Sequence, residues 1–291
     1  MRFSLIVATF GRNVEVATLL DSFAAQQYRD FEVIVVDQNA PGFLSDIRAR
    51  HAGSFKRLVW SHVDFRAANM ARNHGLDKAS GDVVTFADDD CEYHPDTLST
   101  VARLFREHPH CSVLTGKAVD RATGVDSMSI WPAQPQVLGL RNILNLSLEF
   151  TTFYRRTALA NERLDPRFGP GTRFGSREGP DLMLRLFYRE LRMRYEPSIS
   201  IFHPEKFTSI ADPVFLRRTQ SYEIGFGALL AKHLALRRSV GVIAMLAWRA
   251  LVEGILGWLK NIVLLRFAKA RFWRLLLTSR IRGFQDYRAG R

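Results

Sequence analysis

Three consecutive carboxylates, Asp88-Asp89-Asp90, follow directly on the apolar run Val83-Val84-Thr85-Phe86-Ala87. Adjacent carboxylates repel, so a fold that keeps three together needs a cation or hydrogen-bond donors to compensate. In extended backbone Asp88 and Asp90 point to one side and Asp89 to the other. Oxygen ligands of this kind favour Mg²⁺ or Mn²⁺, the partners of phosphate groups. A plainer reading makes the triplet an acidic loop ahead of the helix that begins near Pro95, with Asp96 in its first turn. Its company argues for chemistry. Thr9-Phe10-Gly11-Arg12 closes one apolar run, Asp37 closes a second, and Asp88 to Asp90 close a later one. Open α/β sheets bind ligands beyond the carboxyl ends of their strands, so these groups converge on one edge. Asn69, Arg72 and Asn73 stand at i, i+3 and i+4 of a helical stretch and share a face. Arg72 can fork onto a phosphate or carboxylate, and the two Asn amides can donate to a sugar or base. Jointly, Thr9, Arg12, Asp37, Asn69, Arg72, Asn73, Asp88, Asp89 and Asp90 describe a pocket for a nucleoside diphosphate.

The elements that must position these groups follow from periodicity. Phe3 to Thr9 reads as a buried opening strand, because its apolar stretch stops at Gly11-Arg12 without the small-residue cleavage site of a signal peptide. Val16, Leu19, Leu20 and Phe23 form the stripe of an amphipathic helix. Phe31 to Val36 is a second strand, Leu58 to Trp60 a third, Ala67 to Lys78 a helix, and Val83 to Ala87 a central strand. Strands alternating with helices predict βαβ units, a mostly parallel sheet and helices on both faces. The unbroken run Val33-Ile34-Val35-Val36 fits burial on both sides. Beyond about residue 112 the order loosens: Pro132 and Pro135 mark a loop, 144–154 is extended or helical, and 165–180 is rich in Gly and Pro. Trp131 and Tyr154 are core residues first and sugar-stacking platforms second.

The segments Ser4-Leu-Ile-Val-Ala-Thr-Phe-Gly-Arg12, Phe31-Glu-Val-Ile-Val-Val-Asp37, Ala71-Arg-Asn-His-Gly75 and Ser80-Gly-Asp-Val-Val-Thr-Phe-Ala-Asp-Asp-Asp90 resemble family 2 glycosyltransferases in residues, order and spacing. The match is strong over 3–110 and recognisable to about 235. The resemblance implies the GT-A fold, a UDP-, GDP- or dTDP-sugar donor and a divalent metal, Mg²⁺ or Mn²⁺. By it Thr9, Arg12 and Asp37 hold the nucleoside, Asp88 touches the ribose side, and Asp90 coordinates the metal that bridges the phosphates. The resemblance also sets His203, in Ile201-Phe-His-Pro204, near the metal or pyrophosphate. Gly175-Ser-Arg-Glu-Gly-Pro-Asp-Leu-Met-Leu-Arg185 is similar to the family's Gly-Glu-Asp-x-Asp-Leu-x-Leu-Arg pattern, whose Asp after Glu is the usual general base. Here Gly179 stands in that place, and glycine cannot take a proton. The base therefore falls to Glu178 first and Asp181 second, against a plainer role for both in complementing a helix N-terminus. Tyr222 to His233 resembles a segment of bacterial polysaccharide enzymes in the family, with small residues suited to close helix packing.

Charge divides the chain unevenly. Of a net +12, a net of +11 lies from residue 211 onward, where 15 Lys or Arg face 4 Asp or Glu. From Asp212-Pro213 the pattern is helical, with spans near 213–236, 239–265 and 266–280. The middle span is apolar but broken by Arg249, Glu253 and Lys260, and the last mixes Phe, Trp and Leu with Arg and Lys. Such a mixture suits a membrane surface better than nucleic acid. The organisation expected is a GT-A domain over 1–210, with a nucleotide-sugar half 1–110 and an acceptor half 111–210, then a basic helical region 211–291. Two Cys suit a reducing compartment. The function expected is an inverting, metal-dependent transfer of a sugar to a hydroxyl acceptor, a lipid-linked or polysaccharide glycan, on the cytoplasmic face of the inner membrane. A Mg-dependent nucleotidyltransferase, or a nucleic-acid- or membrane-binding module with weakened catalysis, stands as the alternative.

Overall fold

The computed structural model describes residues 1–204 and 209–290. In chain order the elements are β1 (Phe3–Thr9), α1 (Val14–Ala24), β2 (Phe31–Asp37), α2 (Ser45–His51), β3 (Leu58–His62), α3 (Ala68–Leu76), β4 (Val83–Ala87), β5 (Glu92–Tyr93), α4 (Thr97–Glu107), β6 (Val113–Val119) and β7 (Gln136–Val137). A 3₁₀ turn (Glu149–Thr151) leads into β8 (Thr152–Arg155), α5 (Arg156–Leu159), α6 (Glu178–Phe187) and β9 (Met193–Phe202). Four helices close the chain: α7 (Pro213–Leu236), α8 (Val240–Ala247), α9 (Glu253–Val263) and α10 (Phe267–Arg288), with a π-helical turn, Trp248–Val252, joining α8 to α9.

One sheet of order β3-β2-β1-β4-β8-β6-β9-β5 carries the fold, with β7 paired to β9. The half β3-β2-β1-β4 is wholly parallel, as the alternating grammar requires. Antiparallel β8 then joins β4 to β6, so the sheet as a whole is mixed. β1, β2 and β4 are buried almost throughout, which is why their sequences run apolar without alternation. In-register pairing sets Thr9 opposite Asp37 and Val7 opposite Ala87, so the ends of β1, β2 and β4 deliver Thr9, Asp37 and Asp88 to one edge. That edge is the binding edge of an open α/β sheet.

Past β4 the structure is more ordered than the sequence suggests. Residues 144–154, expected to be extended or helical, contain turns, the 3₁₀ turn and β8 in succession. β6 and β9 are long strands paired in parallel, with a register shift between Thr115 and Lys117. Tyr154 is fully buried, and Trp131 stacks on Tyr195 with its indole N–H donated to the Ser127 carbonyl. Both are core residues. Cys91 and Cys111 are buried and unpaired.

The chain separates into two compact units, Met1–Leu164 with Arg185–Lys206, and Asp165–Leu184 with Phe207–Arg291. The first holds the whole sheet. In the second, Asp212 caps α7 by accepting from the Val214 N–H at 2.8 Å, with Pro213 in the first turn, as their sequence predicts. The three helical spans are present at 213–236, 240–263 and 267–288, the last longer than expected.

Candidate active site

The strand-end loops are tied together before any ligand arrives. Gly11 adopts φ +72°, a left-handed conformation that a glycine takes without strain, and its N–H donates to Asn39 Oδ1 at 2.6 Å. Asn39 in turn gives its backbone N–H and its side-chain amide to Asp37 Oδ1 at 2.9 and 2.8 Å. Trp60 Nε1 donates to the other oxygen, Asp37 Oδ2, at 3.3 Å. Asp37 is thus a buried carboxylate fixed in orientation, on the wall of a cavity of about 560 Å³ that Leu44, Arg48, Trp60 and His62 also line. A fixed carboxylate beside an indole suits the edge and face of a nucleobase or ribose.

The aspartate triplet is compensated by guanidinium groups, as its mutual repulsion requires. Arg12 Nη1 lies 2.5 Å from Asp89 Oδ1 and 3.0 Å from Asp90 Oδ2. Arg72 Nη2 lies 2.6 Å from Asp88 Oδ1, and Arg72 Nη1 donates to Asn69 Oδ1 at 3.2 Å. Burial works to lower the pKa of the Arg12 guanidinium, but Asp89 and Asp90 override it and raise it. Burial pushes the Asp89 carboxyl up, against the pull of Arg12. Arg12 thus lies between Asp89 and Asp90 while Arg72 holds Asp88, and residues 89 and 90 form a turn, closed by the Cys91 N–H to the Asp88 carbonyl at 3.2 Å, in place of the extended backbone expected from the sequence.

His203 completes this group. It follows β9, is 1% exposed, and stacks on Phe150 at 4.7 Å between ring centroids. Its Nδ1 donates to the Pro204 carbonyl oxygen at 2.9 Å, which fixes the ring's orientation. Its Nε2 lies 3.4 Å from Asp90 Oδ1. Asp88, Asp90 and His203 each offer a ligand atom, all within 4.8 Å of one another. Two carboxylates and an imidazole held by a carbonyl behind it form a donor set that fits Mn²⁺ or Mg²⁺. Beside it a cavity of about 360 Å³ is lined by Asp90, His203, Glu15, Asp120 and Arg121.

The remaining sequence candidates are placed as follows. Thr9 is buried at the end of β1 and Asn69 is buried on α3 beside Arg72. Asn73 is committed to the chain itself: its amide donates to the Leu164 carbonyl at 2.8 Å and accepts from the Leu164 N–H at 2.9 Å. In the second unit, Glu178 opens α6 and is 6% exposed. Asp181, one turn on, is fully buried, with Lys232 Nζ at 2.7 Å and His233 Nε2 at 3.2 Å from its Oδ1. Lys232 also reaches Asp165 Oδ2 at 2.8 Å. Asn39, Trp60, Phe150 and the contacts of Lys232 and His233 with Asp181 are not legible as site features in the sequence alone. Only Asn39 carried a local signal, since an Asn two residues after an Asp can bond back to it.

The family model "Glycosyl transferase family 2" matches residues 4–166. Over 183 residues the chain is 26% identical to GalNAc(5)-diNAcBac-PP-undecaprenol beta-1,3-glucosyltransferase of Campylobacter jejuni, covering 57% of this chain and 56% of that one. The crystal structure of Staphylococcus aureus TarS 1-349 in complex with UDP-GlcNAc superposes with a TM-score of 0.61 at 20% identity, covering 100% of this chain and 93% of that one. The mannosyltransferase PcManGT from Pyrobaculum calidifontis, in complex with GDP-Man and Mn²⁺, superposes with a TM-score of 0.66 at 15% identity, covering 99% and 87%. At such identities the structures establish a shared fold, the GT-A fold of these enzymes. The curated relatives are matched over 28% to 59% of their own length. With more than half of its residues matched by the family model, over the stretch that carries Thr9, Asp37 and the aspartate triplet, the chain belongs to glycosyl transferase family 2.

Proposed function

We propose that the protein is an inverting, metal-dependent glycosyltransferase that moves a sugar from a nucleotide-diphosphate donor to a hydroxyl acceptor. The observation that carries this reading is the convergence of Asp88, Asp90 and His203 within 4.8 Å, with Arg12 and Arg72 paired to the same carboxylates. The solved structures of similar fold were obtained with UDP-GlcNAc in one case and GDP-Man with Mn²⁺ in the other, which supports a nucleotide sugar and a divalent ion here.

In this reading Asp37, held by Asn39 and Trp60, accepts from the nucleoside. Asp88, Asp90 and His203 hold the cation, which when bound supplies positive charge to the departing diphosphate. Arg12 and Arg72 are placed to add to that charge, each already held by a carboxylate and so costing little to orient. Glu178 takes the proton of the acceptor hydroxyl. The hydroxyl oxygen forms a bond to the anomeric carbon as the bond to the diphosphate oxygen breaks. The electron pair leaves with the nucleoside diphosphate, and a single displacement inverts the carbon. Asp181, enclosed by Lys232 and His233, serves as a fixed charge that holds α6.

The acceptor we assign is a lipid-linked or polysaccharide glycan, met at the cytoplasmic face of the inner membrane. The name of the Campylobacter jejuni relative contains a PP-undecaprenol acceptor, which supports this choice. A screen of UDP-, GDP- and dTDP-sugars with Mn²⁺ or Mg²⁺ tests the reading. Release of free nucleoside diphosphate from one donor, abolished by chelation, is the expected result. Release of pyrophosphate instead would identify a nucleotidyltransferase.

A further inference from the structure

The helix running Val240–Val263 is long and apolar enough to span a bilayer by composition, yet its packing gives it two unlike faces. Val242, Leu246, Ala250, Gly254 and Asn261 are buried and fall at spacings of four and, for the last pair, seven, a single narrow stripe. Its α8 part lies on α7, and its π-turn and α9 part on α10. A Cβ at Gly254 would stand 3.3 Å from Leu277, and one at Gly257 would enter the ring of Trp273. The opposite face is apolar and open: Trp248 is 53% exposed, Leu256 53%, Leu259 45% and Val263 78%. It continues round the α9–α10 corner through Leu265, 72% exposed, and Phe267, 61% exposed.

Water is a poor solvent for so continuous an apolar surface, and single exposed side chains do not account for it. Its border is cationic: Lys260, Arg266, Lys269, Arg271 and Arg274 are all exposed. We propose that this face is a monotopic membrane anchor: the α9 ridge and the α9–α10 corner lie in the interface of an anionic leaflet, with the basic residues on lipid phosphates. Charge complementarity selects lipid as the occupant, since an apolar ridge ringed by Lys and Arg matches acyl chains beneath anionic headgroups. The packing also argues against a spanning arrangement. α9 is held along α10, and crossing the bilayer would draw Lys269, Arg271 and Arg274 into hydrocarbon. This inference rests on the membrane-face reading above and gives it a surface and a depth.

The full chain should be floated with vesicles of phosphatidylcholine alone and with 30% phosphatidylglycerol added. Tight flotation on the anionic vesicles is expected, weaker on the neutral ones and weaker in high salt. The combined variant Leu259→Ser, Val263→Ser, Leu265→Ser and Phe267→Ser removes four exposed apolar side chains, and its partition should fall by at least about a hundredfold. All four residues are exposed, so the variant should keep the wild-type melting temperature. Donor hydrolysis in detergent-free buffer should be unchanged in it, because none of these residues belongs to the donor site. Unaltered flotation of the variant, no flotation of the wild type, or a lipid-free dimer that the variant dissolves would each overturn the anchor. In that last case a second copy covers the ridge. Loss of donor hydrolysis with flotation intact would instead count against the enzymatic reading and leave the anchor standing.

Discussion

Two carboxylates one turn apart on α6 are assigned different work, and exchanging each for its amide separates them. Asp181 Oδ1 lies 2.7 Å from Lys232 Nζ, with the Asp181 side chain 0% and that of Lys232 11% exposed. At that distance two unit charges attract by roughly 6 kcal/mol if the effective dielectric constant is about 20. Much of that offsets the cost of desolvating them, and removing one partner of a buried pair typically costs about 3–5 kcal/mol. Asp181→Asn keeps an acceptor for Lys232, which also retains Asp165. The loss should therefore lie near the lower figure, about 3 kcal/mol, which lowers the melting temperature by roughly 14 °C in a unit of this size. Glu178→Gln should leave the melting temperature nearly unchanged and lower kcat by roughly 10²–10⁴, the share of a general base. The assay pairs thermal unfolding with initial rates taken well below either midpoint. There Asp181→Asn should keep its rate within about tenfold. A folded Asp181→Asn enzyme that has lost a hundredfold or more in kcat with no change in melting temperature would refute the division, as would full activity in Glu178→Gln.

Three further outcomes follow from the same structure. α7 and α10 cross at two glycines, where a Cβ on Gly227 would strike the Arg280 carbonyl and one on Gly283 the Ile224 carbonyl. Either Gly→Ala change should destabilise by about 2 kcal/mol or more by denaturant titration, reversing the roughly 1 kcal/mol that alanine normally adds to a helix. Gly53→Ala, which meets nothing within 4 Å, is the control and should be near neutral. Burial alone would raise the Asp165 pKa, but Arg167 and Lys232 hold it well below the ordinary carboxylate range. Its contribution is full above about pH 4, the unfolded value, and is lost as pH falls from there toward the folded value. Asp165→Asn should thus lower the denaturation midpoint at pH 7 and reduce its decline between about pH 4 and 2; an unchanged slope would contradict this. Trp60→Phe removes the N–H given to Asp37 while Asn39 still holds the carboxylate, so donor KM should rise several-fold in steady-state assays with kcat retained.

What the sequence discloses and what it hides follow from how locally each feature is encoded. β1, β2 and β4 are continuous apolar runs, each ended by the polar group it presents, so strand, edge and candidate residue are read together. β9 is harder because Pro197 interrupts its pattern. The structure tolerates it at the irregularity where Tyr195 pairs with Thr115 and Ser200 with Lys117. β6 contains Gly116, whose missing side chain leaves room for Ile199 on that bulge and so weakens the strand signal. Asn73 looks like a donor ligand because it shares a helical face with Asn69 and Arg72, but a face is not an accessible face. Its amide closes on Leu164, 91 residues away. Asp181 is a general-base candidate by spacing alone, and the Lys232-His233 pair that encloses it lies about fifty residues downstream. No local pattern announces such a pairing. In the sequence His203 falls near the metal only by family resemblance, and the contacts that fix its ring, with Phe150 and Pro204, are made by folding.

The central claim is that Asp88, Asp90 and His203 hold a divalent cation against the diphosphate of a nucleotide sugar. Calorimetric titration of the full chain with UDP and with GDP, each with Mn²⁺ and with chelator, tests it most directly, alongside Asp90→Asn. The account predicts binding of one nucleotide that requires Mn²⁺ and that Asp90→Asn weakens at least about a hundredfold, since it removes a charged ligand facing both His203 and Arg12. Equal binding without the ion, or in Asp90→Asn, would contradict it.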